Sequence, residues 1–506
     1  MPPPSRVAVI GESVEPPCLN AYLTCALDVT RVIASPVIVG AFRVRPDLSY
    51  EPVLVDRVKV ETSPFTLTYH VVPGATWSDG VPITSDDLIF TLETLRNPAN
   101  NIASRAGYDR IVQAVSVDDK TARFVFDRPY AAWKVLFPQV LPKHALEGQD
   151  FNAVWNVSIH DPNAHLPIGS GPFLLTEYLQ GAQIGLTRNP EWWGPSPALD
   201  KLEFRFIPST AAQVQALLAG ELQAIHPAFD ASLASLQGVP GIVFESGPDR
   251  LEEHLDFNTA SPSMPLLGQS WFRQAVAFAL DRDSSIANGW GPLSVSVNPL
   301  QSLVYLGQQQ EYKPVFNRYA FARDRVARIM RRHGCATAPD GIWSCNGTRA
   351  SIRLATTSGN ARRAFVQEQL VERARAAGVE LVPDNSPPAV LFGTRLPAGD
   401  FDLVMFAWLR DVDPVGLADL YGCDGPSNFM RYCSSRVREL LRSADEELSH
   451  QAALLHRADG ELADDVPTLP FYQHPIFLAR SDGLDGPVLN AGPQGLTWNV
   501  VDWRFS

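Results

Sequence analysis

Ala75-Thr-Trp-Ser-Asp-Gly-Val-Pro-Ile-Thr-Ser-Asp-Asp87 places a large aromatic residue, a tight turn and a helix start within thirteen residues. Ser78-Asp-Gly80 is turn chemistry, and Trp77 beside it supplies apolar area for a core. Thr84 stands where an N-cap belongs, with Asp87 three residues on at the capping-box position. Leu88, Ile89, Leu92 and Leu95 then return at helical spacing, and Asn97–Pro98 marks the end. Upstream, Phe65, Leu67, Tyr69 and Val71 alternate with Thr66, Thr68 and His70, the period of a half-buried strand. The stretch therefore joins a strand to a helix.

The same grammar continues outward. Leu202, Phe204 and Phe206 alternate with charged residues, and Pro208-Ser-Thr opens a helix carrying Val214, Leu217 and Leu218 that Gly220 can terminate. Trp271, Phe272, Ala275, Val276, Ala279 and Leu280 form a buried helical stripe, and a loop-rich passage follows through Gly289–Gly307. Beyond it the pattern predicts a helix over 320–333, a strand over 351–355, a helix over 361–377 and an apolar strand over 403–407. Two more helices near 435–448 and 451–462 precede a final apolar segment over 469–479. No internal repeat is evident.

The chain has 506 residues, 45% apolar and 19% charged. That is too long for one ordinary core and is the balance of a globular protein, so at least two lobes are expected. A net charge of −13 with no dense basic run argues against a nucleic-acid partner. Arg331–Arg332 and Arg362–Arg363 are the closest approaches to a basic run, and each reads as a solvated helix face. No segment reaches the roughly 20 apolar residues that span a bilayer. The opening Met1-Pro-Pro-Pro-Ser5 has neither a basic nor an apolar region of the export-signal kind, so an export signal is expected to have been removed or never present.

Six cysteines fall as close pairs, Cys18/Cys25, Cys335/Cys345 and Cys423/Cys433, among turn formers. Of the 15 connectivities six cysteines allow, adjacency favours the three local bonds, each worth about 2–3 kcal/mol in the chain-entropy model. Zinc is the competing reading, but no C-x-x-C occurs and no histidine sits at ligand spacing beside a pair. Disulfides imply an oxidising compartment and hence export. No metal or cofactor is expected.

An enzyme should offer a nucleophile, a metal set or a phosphate loop. Ser170 in Gly169-Ser-Gly-Pro172 lacks the nucleophile-elbow frame, and no phosphate-loop or dinucleotide motif occurs. Glu252-Glu-His254 and the His450/His456 pair miss metalloprotease spacing. Asp86/Asp87 and Asp464/Asp465 read as carboxylates at helix ends. The chain is expected not to be an enzyme, although a two-carboxylate hydrolase assembled from distant residues stays open.

Four separated segments resemble the family 5 extracellular solute-binding proteins of ABC importers, which include dipeptide- and oligopeptide-binding proteins. The most specific is Ala75–Asp87, close to that family's W-S-D-G-x-P-x-T-A-D-D stretch. With it come Gly169-Ser-Gly-Pro-Phe173 and Arg188-Asn-Pro-Glu-Trp-Trp193, then Phe257-Asn-Thr259, Phe272-Arg-Gln-Ala275 and Asp281-Arg282. The last is Phe401-Asp-Leu403 with Trp408-Leu-Arg-Asp-Val-Asp-Pro414. The matches run in family order over nearly the whole chain.

The resemblance implies an α/β, two-lobed periplasmic-binding-protein-like fold of type II, in the large cluster with an extra subdomain in lobe I. Lobe I is expected over 1–257 plus 470–506, with the inserted subdomain at about 45–165, and lobe II over 258–469. It implies a monomer outside the cytoplasmic membrane, tethered to its outer face or periplasmic, that takes a small-molecule ligand between its lobes and delivers it to a membrane permease. Asp411 stands where peptide-binding members put the aspartate that pairs with an α-amino group, and a carboxylate there can accept all of an ammonium's charge-assisted bonds. Trp408 is expected as a platform for an apolar part of the ligand or as core, with Arg410 and Asp413 beside it. Ala26 and Leu27 align with a turn facing the cleft, Tyr108 lies where a ring could reach its opening, and Asn258 lies near the lobe crossing.

Two departures bear on the ligand. A residue present in peptide-binding relatives is missing between Val412 and Asp413. The arginine that dipeptide-binding relatives offer the ligand carboxylate would fall near Thr356 and is absent. A longer peptide, an amino-acid conjugate or another amine-bearing compound fits better than a free dipeptide. Cys423 and Cys433 fall where dipeptide-binding relatives carry a disulfide. Rival readings are an oligosaccharide stacked on Trp133, Trp155, Trp192 or Trp193, a secreted hydrolase, and a receptor or chaperone uncoupled from transport.

Overall fold

The computed structural model describes residues 6–293 and 295–506; the opening residues 1–5 lie outside them. The chain divides into two compact units, one of residues 1–247 and 475–506, the other Pro248–His474. The divisions fall inside strands Ile242–Phe257 and Thr468–Ser481, which pass from one unit to the other. They differ from boundaries at 257 and 469 because these strands are 16 and 14 residues long and are shared, the first giving six residues to the first unit and ten to the second, the other seven to each.

In the first unit, Val7–Glu12 is flanked by two parallel neighbours, Lys201–Phe206 and Ala224–Ile225. Gln183–Arg188 and Phe173–Leu179 continue the sheet antiparallel on one side, and the end of Thr468–Ser481 closes it on the other through Ile225 and Ala479. A separate four-stranded antiparallel sheet is built from Val55–Thr62, Phe65–Val71, Thr121–Phe126 and Ile111–Asp118. Helix Ser85–Arg96 accompanies it, and its start is the box the sequence predicts, with Thr84 N donating to Asp87 Oδ2 at 2.8 Å. Trp77 is fully buried, and Gly80, at φ 86°, makes the turn beside it that a side chain would strain.

In the second unit, Ser351–Ala355 pairs parallel with both Glu380–Pro383 and Leu403–Leu409. The latter pairs antiparallel with the end of Ile242–Phe257, in register from Leu251↔Leu409 to Phe257↔Leu403. Helix Ala361–Ala376 packs on Glu380–Pro383 of this sheet and on helix Ser270–Ala279, which in turn contacts Arg323–Arg332 and Gln451–Asp465, and Gln451–Asp465 packs on Ser435–Glu446. The strand predicted over 403–407 runs two residues further, to Leu409, because pairing with Leu251 and Glu252 sustains it. The helix expected from 320 starts at Arg323.

All three local disulfides are formed, Cys18–Cys25, Cys335–Cys345 and Cys423–Cys433, and no described cysteine is free. Among the described residues no helix is long and apolar enough to cross a membrane.

Candidate functional site

The period-two alternation of a strand puts Glu252, His254 and Asp256 on one face and Glu253 on the other. Register sets Trp408 opposite Glu252 and Phe406 opposite His254. This face is a buried polar ladder capped by aromatics. His254 lies 4.4 Å from Phe406 and parallel to Trp408 at 6.3 Å, and Trp408 in turn lies parallel to Phe429 at 6.1 Å. Trp408 is half-buried, so it joins the aromatic packing while keeping part of its surface open.

The strand ends in a loop held from below by Arg410. Its guanidinium, 7% exposed, donates from Nη1 to Glu252 Oε1 at 3.0 Å and to the Leu303 carbonyl at 3.0 Å, and from Nη2 to the Val304 carbonyl at 3.3 Å. Arg410 N donates to the Arg250 carbonyl, Arg250 Nη1 donates back to the Arg410 carbonyl, and Gln309 Nε2 donates to the Val412 carbonyl at 2.9 Å. The segment that supplies the two carbonyls also donates to Asp459, through Ser302 Oγ at 2.7 Å and Leu303 N at 2.9 Å. Burial pushes the Asp459 carboxyl up to about 7 against these bonds. On this fixed loop Asp411 and Leu409 are exposed and Asp413 is half-buried.

The opposite face carries a second ionic cluster. Arg363 grips Glu253 with both ends of its fork, at 2.6 and 3.1 Å, and His474 Nε2 meets the same carboxylate at 2.8 Å. Burial alone would raise the Glu253 carboxyl, but His474 and Arg363 outweigh it and hold it at about 2. Arg362 lies 4.4 Å over the Trp290 ring and reaches His474 Nδ1. Sequence spacing marked Glu252-Glu-His254 only as a failed metal motif. Its alternation on a strand was the available signal for two separate clusters.

The remaining expected site residues are dispersed. Asn258 has its amide engaged, donating to the Gly399 and Phe401 carbonyls at 2.9 Å and accepting from Ala260 N. In the first unit Tyr108 is 5% exposed, its hydroxyl accepts from Phe137 N, and its ring packs edge-on against Phe137, which makes it an interior residue. Leu27 is 45% exposed and Ala26 half-buried, on the turn tied by Cys18–Cys25. Trp155 is buried with its Nε1 on the His160 carbonyl, and Trp192 pairs with Trp193 while donating to the Pro195 carbonyl. Trp133 packs edge-on against Phe42.

Ser170 is fully buried with its hydroxyl accepting from Val39 N. Among the described residues no three His, Cys, Asp or Glu side chains are grouped to hold a metal.

Among known proteins, the oligopeptide-binding protein OppA of Mycobacterium tuberculosis is 27% identical over 450 residues, covering 86% of this chain and 73% of OppA. The oligopeptide-binding protein AppA of Bacillus subtilis, solved with a nonapeptide, superposes with a TM-score of 0.70 at 19% identity, covering 99% of this chain and 100% of AppA. NikA of Brucella suis, solved with Fe(III)-EDTA, superposes with a TM-score of 0.79 at 17% identity, covering 99% and 100% of the two chains. These likenesses show the two-lobed binding-protein fold. Residues 49–429 match the profile of the bacterial extracellular solute-binding proteins, family 5 (middle), and the chain belongs to that family.

Proposed function

We propose that this protein is the extracellular binding component of an ABC importer, capturing a peptide or other amine-bearing small molecule without chemical change and delivering it to a membrane permease. The observation that carries the reading is Asp411, an exposed carboxylate on a loop whose neighbours are pinned by Arg410 and Gln309. Such an anchor is preorganised, so little ordering cost accompanies binding. Asp411 accepts the ligand's ammonium, and Trp408 and Leu409 offer apolar surface beside it. Asp413 adds negative charge at the same loop. Arg410 and Asn258 act by holding backbone, Ala26 and exposed Leu27 are the contacts assigned to the first unit, and Tyr108 supports that unit from inside. The protein acts as a monomer, at the outer face of the cytoplasmic membrane or in the periplasm, where its disulfides persist.

Family membership and the peptide-binding relatives support this reading. The test is calorimetry with a pool of tri- to hexapeptides. Charge-assisted bonds contribute about 1.5–3 kcal/mol, so Asp411→Asn is expected to weaken binding by about 10- to 100-fold with unchanged thermal stability. Equal affinity of the variant would remove Asp411 from the site.

A further inference from the structure

Helix Arg323–Arg332 carries five arginines and one aspartate, a formal +4 in a chain of net charge −13, which leaves −17 for the rest. Val326 and Met330, both fully buried, mark its inner face. At 3.6 residues per turn, Arg325, Arg328, Arg331 and Arg332 fall within about 120° of one another on the far side. All four are exposed. No ion pair joins any of them to a carboxylate among the described residues; nearby Asp464 is taken by Arg318 and Asp340 by Arg349.

Two of the four are held in place by aromatic rings. The Arg325 guanidinium lies 5.1 Å over Phe278 and that of Arg331 lies 5.8 Å over Trp343. The support is rigid. Gly334, at φ 76°, ends the helix, and Cys335–Cys345 ties down the three-stranded meander that carries Trp343. The helix dipole favours Arg331 and Arg332 in the last turn, but it gives no reason for Arg325 and Arg328. Solubility gives none either, since these charges lower the magnitude of the net charge.

We infer that the Arg325–Arg332 face is a docking surface for an anionic membrane, its guanidiniums receiving the phosphates of phospholipid headgroups. Arginine's planar fork matches phosphate, and several such cations within a Debye length of an anionic bilayer act together. A protein partner fits less well, because protein interfaces centre on aromatic or apolar anchors. No large hydrophobic residue is exposed between Phe229 and Phe365 among the described residues. The contact is therefore peripheral and electrostatic, with no insertion. It rests on the proposed location at the membrane, and it would keep the binding component close to its permease while leaving the Asp411 loop untouched.

The test is sedimentation of the intact protein with vesicles of phosphatidylglycerol and phosphatidylcholine in equal parts, against pure phosphatidylcholine, at 20 and 500 mM salt. Each arginine near an anionic surface changes partition about fivefold. The wild type is expected to partition at least about 100-fold better to the anionic vesicles at low salt and to lose that preference at high salt. R325Q/R328Q/R331Q/R332Q is expected to lose it at low salt. R328Q/R332Q, which spares both ring-stacked arginines and so serves should the quadruple variant misfold, is expected to weaken it by about 25-fold. Equal partition to both vesicles overturns the inference, as does a correctly folded quadruple variant that partitions like wild type, or cross-linking of this face to a protein without vesicle binding. Peptide calorimetry on the same variants is expected to be unchanged, so failure here is separable from failure of the binding-component reading.

Discussion

Replacing Arg410 with methionine keeps most of the side-chain volume but removes the charge that neutralises Glu252. Glu252 is 1% exposed, and the Leu303 and Val304 carbonyls lose the same donor. Removing one partner of a buried, hydrogen-bonded ion pair costs about 3–5 kcal/mol, because the other charge stays buried without compensation. In a unit of roughly 200 residues, 1 kcal/mol moves Tm by about 2–4 °C, so Arg410→Met is expected to lower Tm by about 6–20 °C in differential scanning calorimetry at pH 7. Glu252→Gln added to it removes the stranded charge and is expected to recover more than half of the loss. The same single variant should also weaken ligand binding, since the loop carrying Asp411 loses its central anchor. A Tm within about 2 °C of wild type, or a double variant no better than the single one, would refute the view that this pair pins the loop.

Glu12 is buried, and burial pushes its carboxyl up from 4.5 to about 8. Its folded form keeps a proton that the unfolded chain has released, so this contribution is full below pH 4.5 and is lost as pH rises through about 8, at up to about 1.4 kcal/mol per unit. Glu12→Gln should flatten that decline in denaturant melts; an unchanged slope would contradict it. Glu253 titrates with the opposite sign. Held near 2 against an ordinary 4.5, it stabilises above pH 4.5 and that stability is lost as pH falls through 2. Arg363→Gln should therefore shift acid unfolding to higher pH, followed by circular dichroism, and no shift would mean that His474 alone suffices. Replacing Cys335 and Cys345 together by serine should cost about 2–3 kcal/mol in urea unfolding, and a smaller effect would mean the meander is held by other contacts.

Local chemistry made the scaffold legible in the sequence. The Thr84–Asp87 box, the buried Trp77 turn and the alternating strands over 65–71 and 201–206 depend on neighbours a few residues away. The three disulfides were legible because each closes a loop of ten residues or fewer. The environment of the candidate site was not, because it is made by register between distant strands. Nothing near position 410 announces that Glu252 will stand beneath it, or that Arg363 will reach Glu253 from a helix. The family resemblance puts Tyr108 where a ring could reach an opening, but the amide of Phe137, 29 residues on, occupies its hydroxyl inside the first unit.

The most direct test of the central claim is native mass spectrometry of the purified protein mixed with two pools of the same tri- to hexapeptides, one with free amines and one N-acetylated. The account predicts peptide adducts from the free-amine pool, few from the acetylated pool, and a loss of that preference in Asp411→Asn. Equal capture from both pools, or capture from neither, would contradict it.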